Sequence, residues 1–259
     1  MTSTDNAMIQ AVQLSKRYED GVLALDSLNL QVQAGEIYGM LGGNGAGKTT
    51  TIHLFLNFIE PTSGEAHIAG ISAHREPLEA KKHVAFVSEN VSLYPNFTAI
   101  QNIEYFTKLG GRMDLTRGDY EAVLKRVGLE PAAHDKRLWG FSKGMRQKCG
   151  LAIAILKDAP VILLDEPTEG LDPKAGLEFI RLLEELREEG KAILMSTHDL
   201  FRAKQVVDRL GIMNRGVLMA ELRREDLEHE DLESVYVSYM AGYMDENEQV
   251  GLVADRRAG

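Results

Sequence analysis

The sequence predicts an α/β fold with a mainly parallel core sheet, on three observations. Helical and extended patterns alternate along the chain. The runs 37–41 and 161–164 are apolar, as in strands buried on both faces. The first of them leads straight into a glycine-rich loop followed by helical sequence.

Residues 1–7 are expected to be a tail, and structure is expected from Ile9 on. In 28–33, Leu28, Leu30 and Val32 alternate with Asn29, Gln31 and Gln33, the period of a strand with one polar face. Gly35-Glu36 is a turn, 37–41 a buried strand, and 49–58 a helix ended by Glu60-Pro61. Ser63-Gly64 and Gly70 bracket a short strand at 66–69, and 84–87 is another. From about 92 to 140 the texture turns helical, with segments 98–109 and 117–127, and reads as an insertion between two halves of the α/β core. Helix 145–156 and strand 161–164 follow. Helix 177–188 should turn Leu177, Ile180, Leu182, Leu183 and Leu186 inward. Strand 192–196 comes next, then a hairpin of 210–213 and 217–219 around Asn214-Arg215-Gly216. From about Glu221 the chain is charge-rich, and beyond Asp245 it is expected to fray.

Composition narrows the function. Lys and Arg total 29 against 39 Asp and Glu, a net charge of −10 that argues against nucleic acid as a partner. The single cysteine, Cys149, rules out an intramolecular disulfide framework and fits a reducing compartment. The polar start, 1–6, has neither the cation nor the apolar core of a targeting peptide. No apolar run approaches the roughly 18 residues that span a bilayer, so any membrane crossing belongs to another chain.

Two constellations carry chemistry. Gly42-Gly43-Asn44-Gly45-Ala46-Gly47-Lys48-Thr49 fits G-x-x-x-x-G-K-[ST] between a strand and a helix. Its glycines let successive backbone N–H groups turn inward as an anion nest. Lys48 reaches the β- and γ-phosphates, Thr49 offers Mg²⁺ a hydroxyl, and Thr50 sits beside them at the positive end of the helix. A glycine-rich turn that meets the pattern by chance is the competing reading, and the flanking strand and helix argue against it. The second constellation is Val161-Ile162-Leu163-Leu164-Asp165-Glu166, a buried strand with two carboxylates at its C-terminal end, where open α/β sheets hold ligands. Asp165 can hold Mg²⁺ directly or through water, and Glu166 is placed to polarise a water for attack on the γ-phosphate. A merely solvated acid pair is the alternative.

With these residues in order, the chain resembles the nucleotide-binding subunits of ABC transporters, from about Ile9 to Met219. Phe141-Ser142-Lys143-Gly144-Met145 is similar to the family's signature, usually LSGGQ; it departs at three of five positions and keeps the Ser and the second Gly. Its Phe-Ser-Lys-Gly-Met-Arg-Gln form is similar to export-type, drug- or ion-extruding members. A plain Ser helix cap would account for Ser142 alone. Gly170-Leu171-Asp172-Pro173 resembles the D-loop, and Ser196-Thr197-His198-Asp199 the switch-histidine segment. Tyr18 lies 42 − 18 = 24 residues before the phosphate loop, as the family's adenine-stacking aromatic does; a half-buried surface tyrosine is the other reading. Glu89 stands where the family carries the Q-loop Gln, so metal contact there passes to a carboxylate. The segment 93–98 after it matches the region that docks a membrane subunit's coupling helix in relatives; a satellite hydrophobic cluster is the alternative.

The resemblance implies a P-loop NTPase core with an N-terminal antiparallel β-subdomain, a helical subdomain inserted at about 90–157, and a polar C-terminal extension from about 221. It implies ATP and Mg²⁺ as cofactors, with Glu166 and His198 catalytic. Phosphate loop residues 42–50 and Tyr18 would bind the nucleotide in cis, Ser142 and Gly144 would bind it from the partner, and Thr49, Glu89 and Asp165 would hold the metal. The partners implied are a second copy or paralogous ATPase subunit, meeting head to tail, and an integral membrane permease at the cytoplasmic face. A permease-free ABC ATPase serving a soluble assembly is the runner-up. The absence of an Asn-Lys-x-Asp motif argues against a GTPase switch.

Overall fold

The computed structural model describes residues 7–229. The first two strands, β1 (Ala7–Arg17) and β2 (Leu23–Gln33), pair antiparallel, and β3 (Ile37–Leu41) leads into helix α1 (Lys48–Phe55). Strands β4 (Ser63–Ile68) and β5 (Ile71–Ser72), helix α2 (Pro77–Lys82) and strand β6 (Val84–Val87) complete the first half. Helices α3 (Ala99–Leu109), α4 (Arg117–Arg126) and α5 (Lys143–Lys157) then intervene. The second half runs β7 (Val161–Leu164), α6 (Pro173–Glu188), β8 (Ala192–Thr197), α7 (Leu200–Val206), β9 (Arg209–Asn214), β10 (Val217–Arg223) and α8 (Arg224–His229).

The core sheet has the order β10-β9-β3-β8-β7-β6, parallel except for β10 on its edge. The smaller sheet, β2-β1-β4-β5, is antiparallel throughout. Alternation of side chains explains why the central strands are apolar end to end. Ile162 and Leu164 of β7 face the core made with the helical segment, while Val161 and Leu163 face the core shared with the small sheet. Ile37 and Leu41 divide from Tyr38 and Met40 of β3 in the same way. All four β7 side chains are buried, worth about 1.5–3 kcal/mol each.

The structure corrects several boundaries. Ala7, expected in the tail, opens β1. α1 stops at Phe55, because Leu56 caps it and Asn57 takes φ 50°. α6 begins at Pro173, four residues early, because Asp172 accepts the Ala175 N–H as an N-cap at 2.9 Å. Leu177 does not turn inward: it is 53% exposed, and Phe179 is buried instead. It lies about 120° round the helix from Leu183, outside the buried stripe. β10 reaches past Glu221, since Tyr38 Oη donates to Glu221 Oε1 at 2.6 Å and Arg209 Nη2 donates to the same oxygen at 2.8 Å. Most of the expected C-terminal extension, 230–259, lies outside the described residues. Cys149 is buried on α5, and burial pushes its thiol up to about 12, which makes it an inert core residue.

Candidate functional site

The C-terminal ends of β3, β7 and β8 converge on one cleft of about 860 Å³. Tyr18, residues 43–50, Glu89, Glu166 and His198 line it, and so do Val22, Leu23, Ala24, Glu169 and Arg215.

The loop between β3 and α1 is held from several sides. Gly42 N–H donates to Thr197 O at 3.2 Å, and Gly216 N–H donates to Ala46 O at 3.0 Å. Gly47 sits at φ 104°, where a Cβ would come 2.6 Å from the Ala24 carbonyl oxygen. Only glycine fits that point. Lys48, 6% exposed, donates to Gly42 O at 2.5 Å and approaches Glu166 Oε1 at 3.1 Å. Its ammonium is therefore fixed at the loop's mouth, with its charge matched by a carboxylate.

The acid pair divides by environment. Asp165 Oδ1 accepts from Ser196 Oγ at 2.5 Å and from Thr49 Oγ1 at 3.2 Å. Glu166 takes φ 44°, an unfavourable conformation for a non-glycine residue, costing about 1–3 kcal/mol. Its N–H donates to Ser196 Oγ at 2.9 Å, and its Oε2 meets His198 Nδ1 at 2.9 Å and the His198 N–H at 3.2 Å. The strained turn so aims one carboxylate into the cleft while its neighbour is bound to the loop. Thr49 and Asp165 bring only oxygen donors together, which suits a hard cation such as Mg²⁺. Glu166, Glu169 and His198 also place ligand atoms within 4.8 Å of one another, but a ring nitrogen in that set favours a softer metal.

Not every expected residue lies in the cleft wall. Gly42 contributes its carbonyl to Lys48 from behind, and Asp165 acts through Thr49. Tyr18 stands on the wall with Oη 3.4 Å from Thr50 Oγ1 and Lys16 Nζ 5.3 Å from its ring centroid. Ser142 and Gly144 are absent from the wall: Ser142 Oγ accepts the Met145 N–H at 3.2 Å as the cap of α5, and Gly144 packs towards Leu171. Glu89 reaches the wall, but its Oε1 accepts from Asn90 Nδ2 at 3.1 Å and from Lys143 Nζ at 3.4 Å. Glu169 and Arg215 were missed. Glu169 adjoins the D-loop-like residues and was within reach of a motif reading, whereas Arg215 arrives through the β9–β10 turn with no local signal.

Further along the chain from Glu89, Tyr94, Phe97, Tyr105 and Phe106 form a cluster with ring centroids 5.2–6.2 Å apart. The first three are exposed, and Trp139 nearby is more so. Buried Asn102 pins this segment, accepting from Tyr94 N at 2.8 Å and donating to Tyr94 O and Thr98 O at 3.0 Å. Among the described residues no helix is long and apolar enough to cross a membrane.

A phosphate-binding loop between a buried strand and a helix, facing an acid pair at the end of β7, one strand beyond β8 in the same sheet, defines a nucleoside triphosphatase. The family model described as ABC transporter matches residues 25–169, and the chain belongs to that family as one of its ATP-binding, ATP-hydrolysing subunits. The bacitracin transport ATP-binding protein BcrA of Bacillus licheniformis is 38% identical over 219 residues, 84% of this chain and 70% of that protein. The ABC transporter ATP-binding protein NatA of Bacillus subtilis (strain 168) is 33% identical over 243 residues, 89% of this chain and 97% of its own. A bacterial ABC transporter cassette solved as a dimer superposes with a TM-score of 0.77 at 29% identity, over 84% of this chain and 99% of that one. A dimeric cassette bound to ADP and phosphate gives the same TM-score at 28% identity, with the same coverage of both chains.

Proposed function

We propose that this chain hydrolyses MgATP as one half of a head-to-tail dimer and drives a separate membrane permease, in the direction of export. The observation that carries the reading is the division of the site. Lys48, Glu166 and His198 meet in one cleft, while Ser142 and Gly144, at the head of α5, stand outside it. A second copy turned head to tail would bring that helix end to the open side of the triphosphate. The export direction draws on the signature form and on BcrA.

In this reading the phosphate loop amides and Lys48 hold the β- and γ-phosphates, and Thr49 and Asp165 hold Mg²⁺, with Glu89 able to join them. Bound there, the metal would neutralise phosphate charge. Glu166 takes a proton from the attacking water as the new O–P bond forms and the bond to the β-phosphate breaks, leaving ADP and phosphate. His198 Nδ1 keeps the carboxylate in place, and its other ring nitrogen serves the γ-phosphate. Tyr18 stacks on the adenine. Tyr18→Ala is expected to weaken ATP by about 1–3 kcal/mol, the range for aromatic–base stacking. Inorganic triphosphate should bind both proteins alike, and an unchanged ATP affinity would place the stacking group elsewhere.

The exposed Tyr94–Phe97–Tyr105 surface is the site for the permease, held rigid by Asn102. Tagged protein purified from detergent-solubilised membranes of its native cells tests this. A polytopic membrane protein should co-purify with the wild type and be lost from Phe97→Asp. Recovery of soluble assembly proteins alone would favour a permease-free ATPase, and would place the chain away from the cytoplasmic membrane face assigned to it here.

A further inference from the structure

Two of the positions at which this chain departs from the family's usual residues touch each other. Glu89 replaces a neutral Gln and Lys143 replaces a Gly, so the pair of changes conserves net charge. Glu89 lies just beyond β6 on the cleft wall, and Lys143 is the first residue of α5, next to its cap Ser142. Lys143 Nζ stands 3.4 Å from Glu89 Oε1, with the two side chains 35% and 38% exposed. The lysine stem also closes on the loop after β7, where a Cβ at Gly170 would lie 3.3 Å from Lys143 Cδ. Lys48, on the same cleft wall, is already matched by Glu166 at 3.1 Å. A lone carboxylate on this wall would repel a bound triphosphate and attract its metal.

We propose that Lys143 is a positioning residue that cancels the charge of Glu89 at the nucleotide cleft, and so sets how strongly the site discriminates metal-free from metal-bound triphosphate. The inference rests on the reading that the cleft binds ATP. It differs from the usual arrangement in that a charged, salt-sensitive pair spans the cleft wall and the head of α5 where the family has two neutral residues. Removing the lysine leaves the wall one unit more negative; removing the carboxylate leaves it one unit more positive; removing both restores the balance.

The test is direct titration with a fluorescent ATP analogue, in EDTA and in Mg²⁺, at protein concentrations where gel filtration shows a monomer. Wild type, Lys143→Met, Glu89→Gln and the double variant are compared. In EDTA, Lys143→Met should weaken binding about 3–10-fold, Glu89→Gln should tighten it, and the double variant should return to within about twofold of wild type. In Mg²⁺ the Lys143→Met deficit should shrink, and its Mg²⁺ midpoint should move to lower concentration. About 0.5 M salt should flatten the differences among all four, which a packing defect would not do. A Lys143→Met affinity equal to wild type overturns the proposal, and so does a double variant as weak as the single one. Failure of the wild type to bind ATP at all would instead overturn the nucleotide reading on which the proposal stands.

Discussion

Replacing Glu166 by Gln is expected to lower ATP hydrolysis by at least about a hundredfold while ATP still binds. The amide keeps the side chain's shape beside Lys48 and His198 but cannot accept the proton of the attacking water. Binding survives because the loop amides and Lys48 are untouched. In the proposed dimer the nucleotide joins two copies; with the cleavage step blocked it would not be consumed, so an ATP-dependent dimer should accumulate. Gel filtration with and without MgATP, beside a phosphate-release assay, measures both effects. A variant that hydrolyses ATP at the wild-type rate would remove Glu166 from the role of base.

Gly47→Ala should abolish nucleotide binding, raising the ATP dissociation constant by at least about a hundredfold, or 2.7 kcal/mol. Two costs fall on one methyl group. The residue sits at φ 104°, outside the regions open to side-chain-bearing residues. The added carbon would also lie 2.6 Å from Ala24 O and 3.3 Å from Gly216 Cα, both backbone atoms that cannot swing aside. Relief requires the loop to move, which takes its N–H groups off the phosphates. Circular dichroism should remain native, because the change falls in the loop between β3 and α1 and in no strand or helix interior. Affinity within threefold of wild type, at about 0.6 kcal/mol, would show that the loop tolerates the shift.

Local chemistry was legible from residues that are neighbours in the chain. The spacing of Gly42, Gly47, Lys48 and Thr49 specifies a loop that only a strand before and a helix after can present, and β3 and α1 present it. The four apolar residues before Asp165 read as a strand buried on both faces, and both faces are buried. The segment expected at 98–109 is α3, and the structure adds its capping box, in which Thr98 Oγ1 accepts the Gln101 N–H and Gln101 Oε1 accepts the Thr98 N–H. β1 was not recognised because its alternation is broken: Gln13 takes φ 47°, and the register with β2 shifts between Ala11 and Leu14. α7 spans under two turns, with only Ala203 and Val206 buried, too few residues to show a helical period.

Contacts made across long stretches of chain were decided by tertiary structure alone. The burial of Phe179 in place of Leu177 depends on what packs against α6, where Arg202 of α7 covers Gly176 and donates to Thr168 O and Leu171 O. Arg215 reaches the cleft because its hairpin docks on the phosphate loop through Gly216 and Ala46. The meeting of Glu89 with Lys143, 54 residues apart, depends on how the head of α5 packs against the end of β6. Spacing and periodicity report the geometry of one segment with itself, set by bond angles and the helical or strand repeat. Which segments then face one another is set by burying two faces of one sheet at once, and that is a property of the whole chain.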